Sequence, residues 1–331
     1  MWDGKRGKSN ENQARIPLMR GGDGPGNGPG NAFQSQRKHG PSPPAFAMNR
    51  LQKRIKDFQY RTREANWEKE VARNGFAIHK IAPRVRMKLY CDSMLSRQIL
   101  LHDFEGDERD FMMRFLRPGD LFVDIGANAG LFTLIAARMV GPKGRVIAFE
   151  PVSKTNKRLV ENIVLNGFKN VQVEQRGVSD SSGEFKIMAA EDEMDGFNSF
   201  ARPYMGEHYV QEMVSTTSWD EYSAQHSLEG RVTFMKIDVE GWETKVLEGG
   251  RRQFSREDAP VLQVEFTDDA AKAAGSSCRE NYRLLESLGY SMYTYNRGTK
   301  MLMPDAIREE YPYLNLYAAK DIAAVKARLE S

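Results

Sequence analysis

Between Leu121 and Tyr290 the chain switches repeatedly between short apolar runs and longer stretches with helical spacing. "LFVDIG" reads as a strand and "GLFTLIAARMV" as a helix. "RVIAFEP" is again a strand, and "KTNKRLVENIVLNG" a helix stopped by Gly167. "VQVEQRGVS" is expected as a third strand, turning at "DSSG" into "EFKIMA". After a less regular stretch to about Ser218, "VTFMKIDVEG" and "PVLQVEF" read as strands. "ETKVLEGGRRQF" and "ENYRLLESLGY" read as the helices that follow them. Such alternation implies a mostly parallel sheet covered by helices on both faces. "SMYTYNR" and "YLNLYAAK" lie too close together for a crossover helix, so they are expected to form an antiparallel hairpin at one sheet edge.

The front of the chain has a different texture. Residues 1–47 include "GGDGPGNGPGN" and "HGPSPPAF", with too little apolar surface to offset the entropy of ordering, and are expected to be a disordered Gly/Pro-rich tail. Met48 marks the change and is a candidate native start. In "MNRLQKRIKDFQYRTREANWEKEVARNG", Leu51, Ile55, Phe58, Thr62 and Ala65 follow three- and four-residue steps, which predicts an amphipathic helix ending at Asn74-Gly75. "FAIHKI" and "RVRMKLYC" read as a small hairpin, and "DERDFMMRFL" as a helix. The expected division is therefore a tail over 1–47, a helical and hairpin extension over 48–115, and the main domain over 116–331.

Charge is unevenly placed. Residues 1–90 carry 19 Lys/Arg against 7 Asp/Glu, although the whole chain is only +3. A basic front end raises RNA or another polyanion as an alternative partner. No zinc module or RNA-binding signature accompanies it, so a solvated basic surface is the preferred reading and a nucleic-acid partner is not expected. Cys91 and Cys278 form no C-x-x-C, which argues against a disulfide framework or a zinc site. No apolar run approaches the roughly 18 residues that span a bilayer, and a cytoplasmic protein is expected.

The first strand runs into "DIGANAG". Gly126 and Gly130 bracket Asn128, which stands where a dinucleotide fingerprint has its second glycine. A side chain there argues against a pyrophosphate and for a nucleoside ligand without one. Glu150 ends the second strand twenty residues after Gly130, where a carboxylate accepts hydrogen bonds from both ribose hydroxyls. Asp124 can accept from an amino group or order the turn. Ribose, an amino group and no pyrophosphate describe S-adenosylmethionine. On this reading Gly126→Val abolishes cofactor binding and leaves the fold intact.

"VDIGANAGLFTLIAA", "GRVIAFEP", "ENIVLNG" and "MKIDVEGWETKVLEGG" appear in order, and over about residues 95–320 the chain resembles the FkbM-family methyltransferases. The resemblance implies a class I methyltransferase fold, Rossmann-like, with a seven-stranded sheet. It also implies S-adenosylmethionine as donor and O-methylation of a hydroxyl, here on a sugar or other small-molecule acceptor. Carried over by position, Asp124, Gly126, Asn128 and Gly130 would line the methionine end of the cofactor. Glu150 would hold the ribose, and the turn around Gly177 and Val178 the adenine. Trp219-Asp220 replaces the family's Leu-Asp pair and "VEFTDDA" is unusually acidic, departures expected to bear on the substrate.

Methyl transfer needs alignment and, for a hydroxyl, a proton acceptor. Asp238, at the end of "FMKID", is the first candidate for acceptor orientation or general base, and Glu240 the second. His208 is the one histidine in the stretch expected to cover the acceptor. Glu265 ends the neighbouring strand, but two carboxylates are too few to define a metal site, and none is assigned. "NSFARPYMGEHYV" is equally readable as a lid or as an ordinary loop.

Overall fold

Leu121–Ile125, the first of the apolar runs, is buried at every position, as expected of a strand with helices on both sides. The computed structural model describes residues 50–190, 196, 198–201 and 208–330, with the backbone alone for 50–60. In chain order the elements are α1 (Arg50–Asn74), β1 (Phe76–Ala82), β2 (Val85–Tyr90), α2 (Met94–Leu101), α3 (Gly106–Phe115), β3 (Leu121–Ile125), α4 (Leu131–Val140), β4 (Arg145–Phe149) and α5 (Ser153–Asn166). There follow β5 (Val171–Glu174), β6 (Gly177–Ser179), β7 (Gly183–Ala190), β8 (Tyr209–Ser218), α6 (Trp219–Gln225), β9 (Phe234–Ile237), α7 (Glu243–Gly249) and α8 (Arg251–Phe254). The last are β10 (Val261–Phe266), α9 (Asp268–Ala273), α10 (Cys278–Ser287), β11 (Ser291–Asn296), β12 (Met301–Pro304), β13 (Leu314–Ala319) and α11 (Ile322–Glu330).

The main sheet has the order β12-β11-β13-β10-β9-β3-β4-β5. Five strands, β5-β4-β3-β9-β10, run parallel. β13 is antiparallel to both β10 and β11. The chain winds one way from β3 through β4 to β5, then returns to β9 and winds the other way. This is the class I methyltransferase order with one strand added at the edge. The order reverses between β3 and β9, and their carboxyl ends frame the cleft where ligands bind in such sheets.

Each face of the sheet has its own core. Phe111, Phe115, Leu134, Ile135, Leu159, Val325 and Leu329, from α3, α4, α5 and α11, cover one face. Trp219, Tyr222, Val246, Leu247, Phe254 and Leu285, from α6, α7, α8 and α10, cover the other.

Several expectations are corrected. The sheet has eight strands rather than seven. The two closing strands do pair antiparallel, but β13 inserts between β10 and β11, and the edge hairpin is β11 with β12. The third strand breaks at Gln175-Arg176: β5 stays in the main sheet and β6 joins β7 and β8 in a separate three-stranded sheet. The stretch read as irregular contains the ten-residue β8. The single helix expected over "ETKVLEGGRRQF" divides at Gly250 into α7 and α8.

At the front, the hairpin β1-β2 forms as expected, and α1 ends at Asn74 before Gly75, whose φ is +74°. On the described part of α1 the covered stripe is Glu64, Trp67 and Val71, whereas Thr62 and Ala65 are exposed. Side chains at Leu51, Ile55 and Phe58, the 1–47 tail and residues 202–207 of the "NSFARPYMGEHYV" stretch lie outside the described residues. Among the described residues no helix is long and apolar enough to cross a membrane.

Candidate active site

The turn from β3 into α4 is shaped by three residues in succession. Gly126 has φ +83°, and a Cβ built there would stand 1.8 Å from the Asp238 carbonyl oxygen. This glycine is required by the packing of the turn against the end of β9. Gly126→Val therefore threatens the fold itself, contrary to the sequence expectation. Asn128 has φ +49°, a left-handed conformation that asparagine tolerates better than most residues. That explains why a side chain is accepted where a dinucleotide fold requires glycine. Gly130, at φ +100°, lets α4 start against Leu159.

Glu150 sits beside this turn. One carboxylate oxygen accepts from the Asn128 N–H at 2.9 Å and the other from the Val152 N–H at 3.0 Å. The side chain is 5% exposed, and burial raises its pKa to about 7 despite those two amides. The arrangement fixes a carboxylate at the carboxyl end of β4 with its backbone donors already in place. Asp124 lies beneath the turn. It accepts from the Thr133 hydroxyl at 2.5 Å, while its Oδ1 is buried without a hydrogen-bond partner. Burial, only partly opposed by Lys236 and Thr133, raises its pKa.

A cavity of about 280 Å³ opens between these strand ends. Gly126, Asn128 and Glu150 line one part of it, Lys236, Asp238, Glu240 and Glu265 another. Phe104, Leu131, Phe132, Ile187, Phe200 and Val239 supply much of the apolar surface. Glu105 and Tyr313 close a further side. Among the described lining residues there are five carboxylates and one ammonium.

That ammonium, Lys236, was not singled out in the sequence. Its Nζ donates to Asp238 Oδ2 at 2.6 Å and lies 4.9 Å from the Phe132 ring centroid. Burial alone would lower its pKa, but Asp238, Glu105 and Asp124 outweigh that and raise it. Glu105 was missed as well. It adopts a left-handed conformation (φ +46°) before α3 and accepts from the Tyr313 hydroxyl at 3.0 Å. Burial raises its pKa to about 7, with Lys236 opposing and Asp238 reinforcing the shift. Lys236 stands inside the "MKIDVEG" motif but was given no role there, and Glu105 belongs to no motif. A lysine two residues before a strand-end aspartate was the one available signal.

Asp238 and Glu240 leave β9 on a turn that Glu243 organises, accepting from the Val239 N–H at 2.9 Å and the Gly241 N–H at 3.3 Å. Glu243 is therefore structural, and burial raises its pKa to about 7. Glu265 ends β10, and ligand oxygens of Asp238, Glu240 and Glu265 all fall within 4.8 Å of one another.

Other sequence candidates do not reach the cavity. Gly177 and Val178 are buried in β6, where Gly177 packs under Phe200, and neither lines the cavity. His208 is exposed just before β8 and does not line the cavity. Trp219 is a core residue, and Asp220 caps α8 by accepting from the Arg252 and Gln253 N–H groups, each at 2.9 Å. This departure from the family pattern is thus structural.

Residues 124–292, just over half of the chain, match the family described as the methyltransferase FkbM domain. Over 150 residues the chain is 30% identical to Methyltransferase 1 of Beauveria bassiana, covering 40% of this chain and 59% of that protein. Over 70 residues it is 43% identical to AMB antimetabolite synthetase AmbE of Pseudomonas aeruginosa, covering 21% of this chain and 3% of that protein. The matches thus span less than two thirds of either relative.

Solved structures similar to the chain include a SAM-dependent O-methyltransferase from Thermotoga maritima, at 15% identity and TM-score 0.35, covering 65% of this chain and 64% of that one. A SAM-dependent methyltransferase from Aquifex aeolicus matches at 17% identity and TM-score 0.36, covering 64% and 88%. Likeness at that level carries no argument, and the fold rests on the strand order. With the glycine turn, the β4 carboxylate and the Asp-Val-Glu-Gly turn all inside the matched span, the chain belongs to the FkbM methyltransferase family.

Proposed function

We propose that the protein transfers a methyl group from S-adenosylmethionine to a hydroxyl of a small molecule, such as a sugar or a secondary metabolite. The observation that carries the reading is Glu150: a buried carboxylate at the end of β4, with both oxygens oriented by backbone amides, on the wall of the cavity. Ribose hydroxyls are the donors that suit it. The charge balance fits the same cofactor. Five lining carboxylates against Lys236 favour a ligand bearing positive charge, and the sulfonium and amino group of S-adenosylmethionine provide it.

When bound, the cofactor supplies a methyl group on a sulfonium that leaves as a neutral thioether. The protein's part is to align the acceptor and take its proton. On this reading Asp238 takes that part, supported by the Lys236 contact at Oδ2 and by the position of Asp238 on the cavity wall with Glu240. The cavity volume, shared between the reactive end of the cofactor and the acceptor, favours a small acceptor over a macromolecule.

Glu150→Ala should lower affinity for S-adenosylhomocysteine about 10- to 100-fold, because charge-assisted hydrogen bonds worth roughly 1.5–3 kcal/mol are lost. Unchanged affinity by titration calorimetry would remove the ribose assignment. The acceptor class is tested by screening carbohydrate, polyketide and phenolic hydroxyls with labelled S-adenosylmethionine and mapping the methylated atom. Transfer confined to RNA, with retention falling steeply with salt, would replace this reading by the polyanion alternative.

A further inference from the structure

We infer that Asp238, Glu240 and Glu265 form a binding site for one hard divalent cation, of the magnesium or manganese type, beside the position of the acceptor oxygen. The inference rests on the function proposed above only for the cation's role, not for its binding.

The first observation is convergence. Three carboxylates from the ends of β9 and β10 bring one oxygen each to within 4.8 Å of one another. Two ligands on opposite sides of an ion are separated by twice the metal–oxygen distance, which is about 4.0–4.2 Å for magnesium and about 4.6–5.2 Å for calcium. Oxygens that all lie within 4.8 Å of one another need at most a small adjustment to ligate a single ion. An all-oxygen set without histidine or thiolate selects hard cations over zinc or copper.

The second observation is independent of the clustering. Glu265 is 4% exposed, and its Oε1 accepts from the Thr267 hydroxyl at 3.1 Å. Its Oε2 is fully buried and has no hydrogen-bond partner, although Glu265 lines the cavity. A buried carboxylate oxygen without a donor is costly, and the Asp238 and Glu240 carboxylates clustered with Glu265 cannot donate to it when ionised. A cation satisfies this oxygen.

Lys236 does not fill that role. Its ammonium engages Asp238 Oδ2, and no ion pair joins it to Glu240 or Glu265 among the described residues. The other Asp238 oxygen remains available, since a carboxylate accepts on both. A cation there would coordinate the acceptor hydroxyl, lower its pKa and hold it for in-line attack. Asp238 would then orient the metal instead of acting alone as the base.

The test uses the full chain and Mn²⁺ as probe, followed by loss of the free-ion electron paramagnetic resonance signal, with and without S-adenosylhomocysteine. One Mn²⁺ per chain, displaced by excess Mg²⁺ and weakened about tenfold or more by Glu265→Gln, is the expected result. Glu240→Gln, at a half-buried position where a folding defect is less of a confounder, should weaken binding in the same direction. Circular dichroism checks both variants. Failure of Mn²⁺ to bind, or binding unaffected by both substitutions, overturns the site and leaves the cofactor reading standing. Mn²⁺ binding without any S-adenosylhomocysteine binding sustains the site and removes the function it was proposed to serve.

Discussion

Glu150 holds its proton more tightly than a solvent-exposed glutamate because burial disfavours the charged form, and Asp124 and Glu212 add repulsion. Ribose hydroxyls donating to it stabilise the ionised form, so bound cofactor should lower its pKa below about 7. Affinity for S-adenosylhomocysteine should therefore rise as pH increases towards 7 and flatten above it, and Glu150→Gln should abolish that slope. Calorimetry at pH 5.5, 7 and 8.5 checks it; a slope of the opposite sign would mean that the carboxyl binds as a donor. At Asp238, replacement by Asn should leave cofactor binding within a few-fold while turnover falls about 10²–10⁴-fold, the range for a lost general base. Lys236 keeps Glu105 and Asp124 nearby in that variant, so a melting curve should show little change. Near-normal turnover would make the turn purely structural. Asn128, Glu150 and Asp238 were legible because each sits at a fixed offset from a strand end. Lys236 and Glu105 were not, and Glu240 and Glu265 were named without the cluster that joins both to Asp238. Their roles arise where positions 105, 236, 240 and 265 converge, and no local spacing encodes that convergence.

At the scale of elements, the apolar alternation was sufficient to place β3, β4, β9 and β10, because strands buried on both faces leave continuous hydrophobic runs. β8 escaped that reading. Its covered positions include Val214, Thr216 and Thr217, and threonine favours a strand without adding to an apolar pattern. The break between β5 and β6 and the split of α7 from α8 likewise depend on tertiary contacts. Gly249 lies against the Ser179 backbone, where a Cβ would come within 2.0 Å of its carbonyl oxygen. The turn after β3 yields a prediction of the same kind. Gly126→Ala places a methyl in left-handed backbone, costing about 1–2 kcal/mol, and directs it at the Asp238 carbonyl, so the total cost should be larger. Urea denaturation should show a clear loss of stability even without ligand. Wild-type stability combined with lost cofactor binding would restore the simpler view that the glycine only makes room for the ligand.

For the whole molecule, the buried carboxylates of the cleft and its supporting turn set a pH dependence. Glu105, Glu150 and Glu243 have pKa values raised to about 7 from an ordinary 4.5, chiefly by burial. Between those limits the folded protein holds protons that the unfolded chain releases, so the stability they contribute is present below about pH 4.5 and is lost as pH rises towards 7. Groups shifted the other way, such as Asp92, Asp103 and Asp180 in their ion pairs, lose their contribution only at more acidic pH. His79, whose pKa is lowered by burial and by Arg63 and Arg109, opposes the trend as a single half-buried group. Without ligand, the melting temperature should therefore fall from pH 5.5 to pH 8. A ligand that binds only the folded state adds stability according to its affinity, and that affinity grows as Glu150 ionises. The rise in melting temperature on adding S-adenosylhomocysteine should thus be larger at pH 8 than at pH 5.5. Differential scanning fluorimetry at both pH values, with and without ligand, measures the two effects separately. A ligand-free melting temperature that rises across this range would show that the cleft carboxylates are ionised and compensated within the folded protein. An equal ligand shift at both values would instead detach cofactor binding from the charge of Glu150.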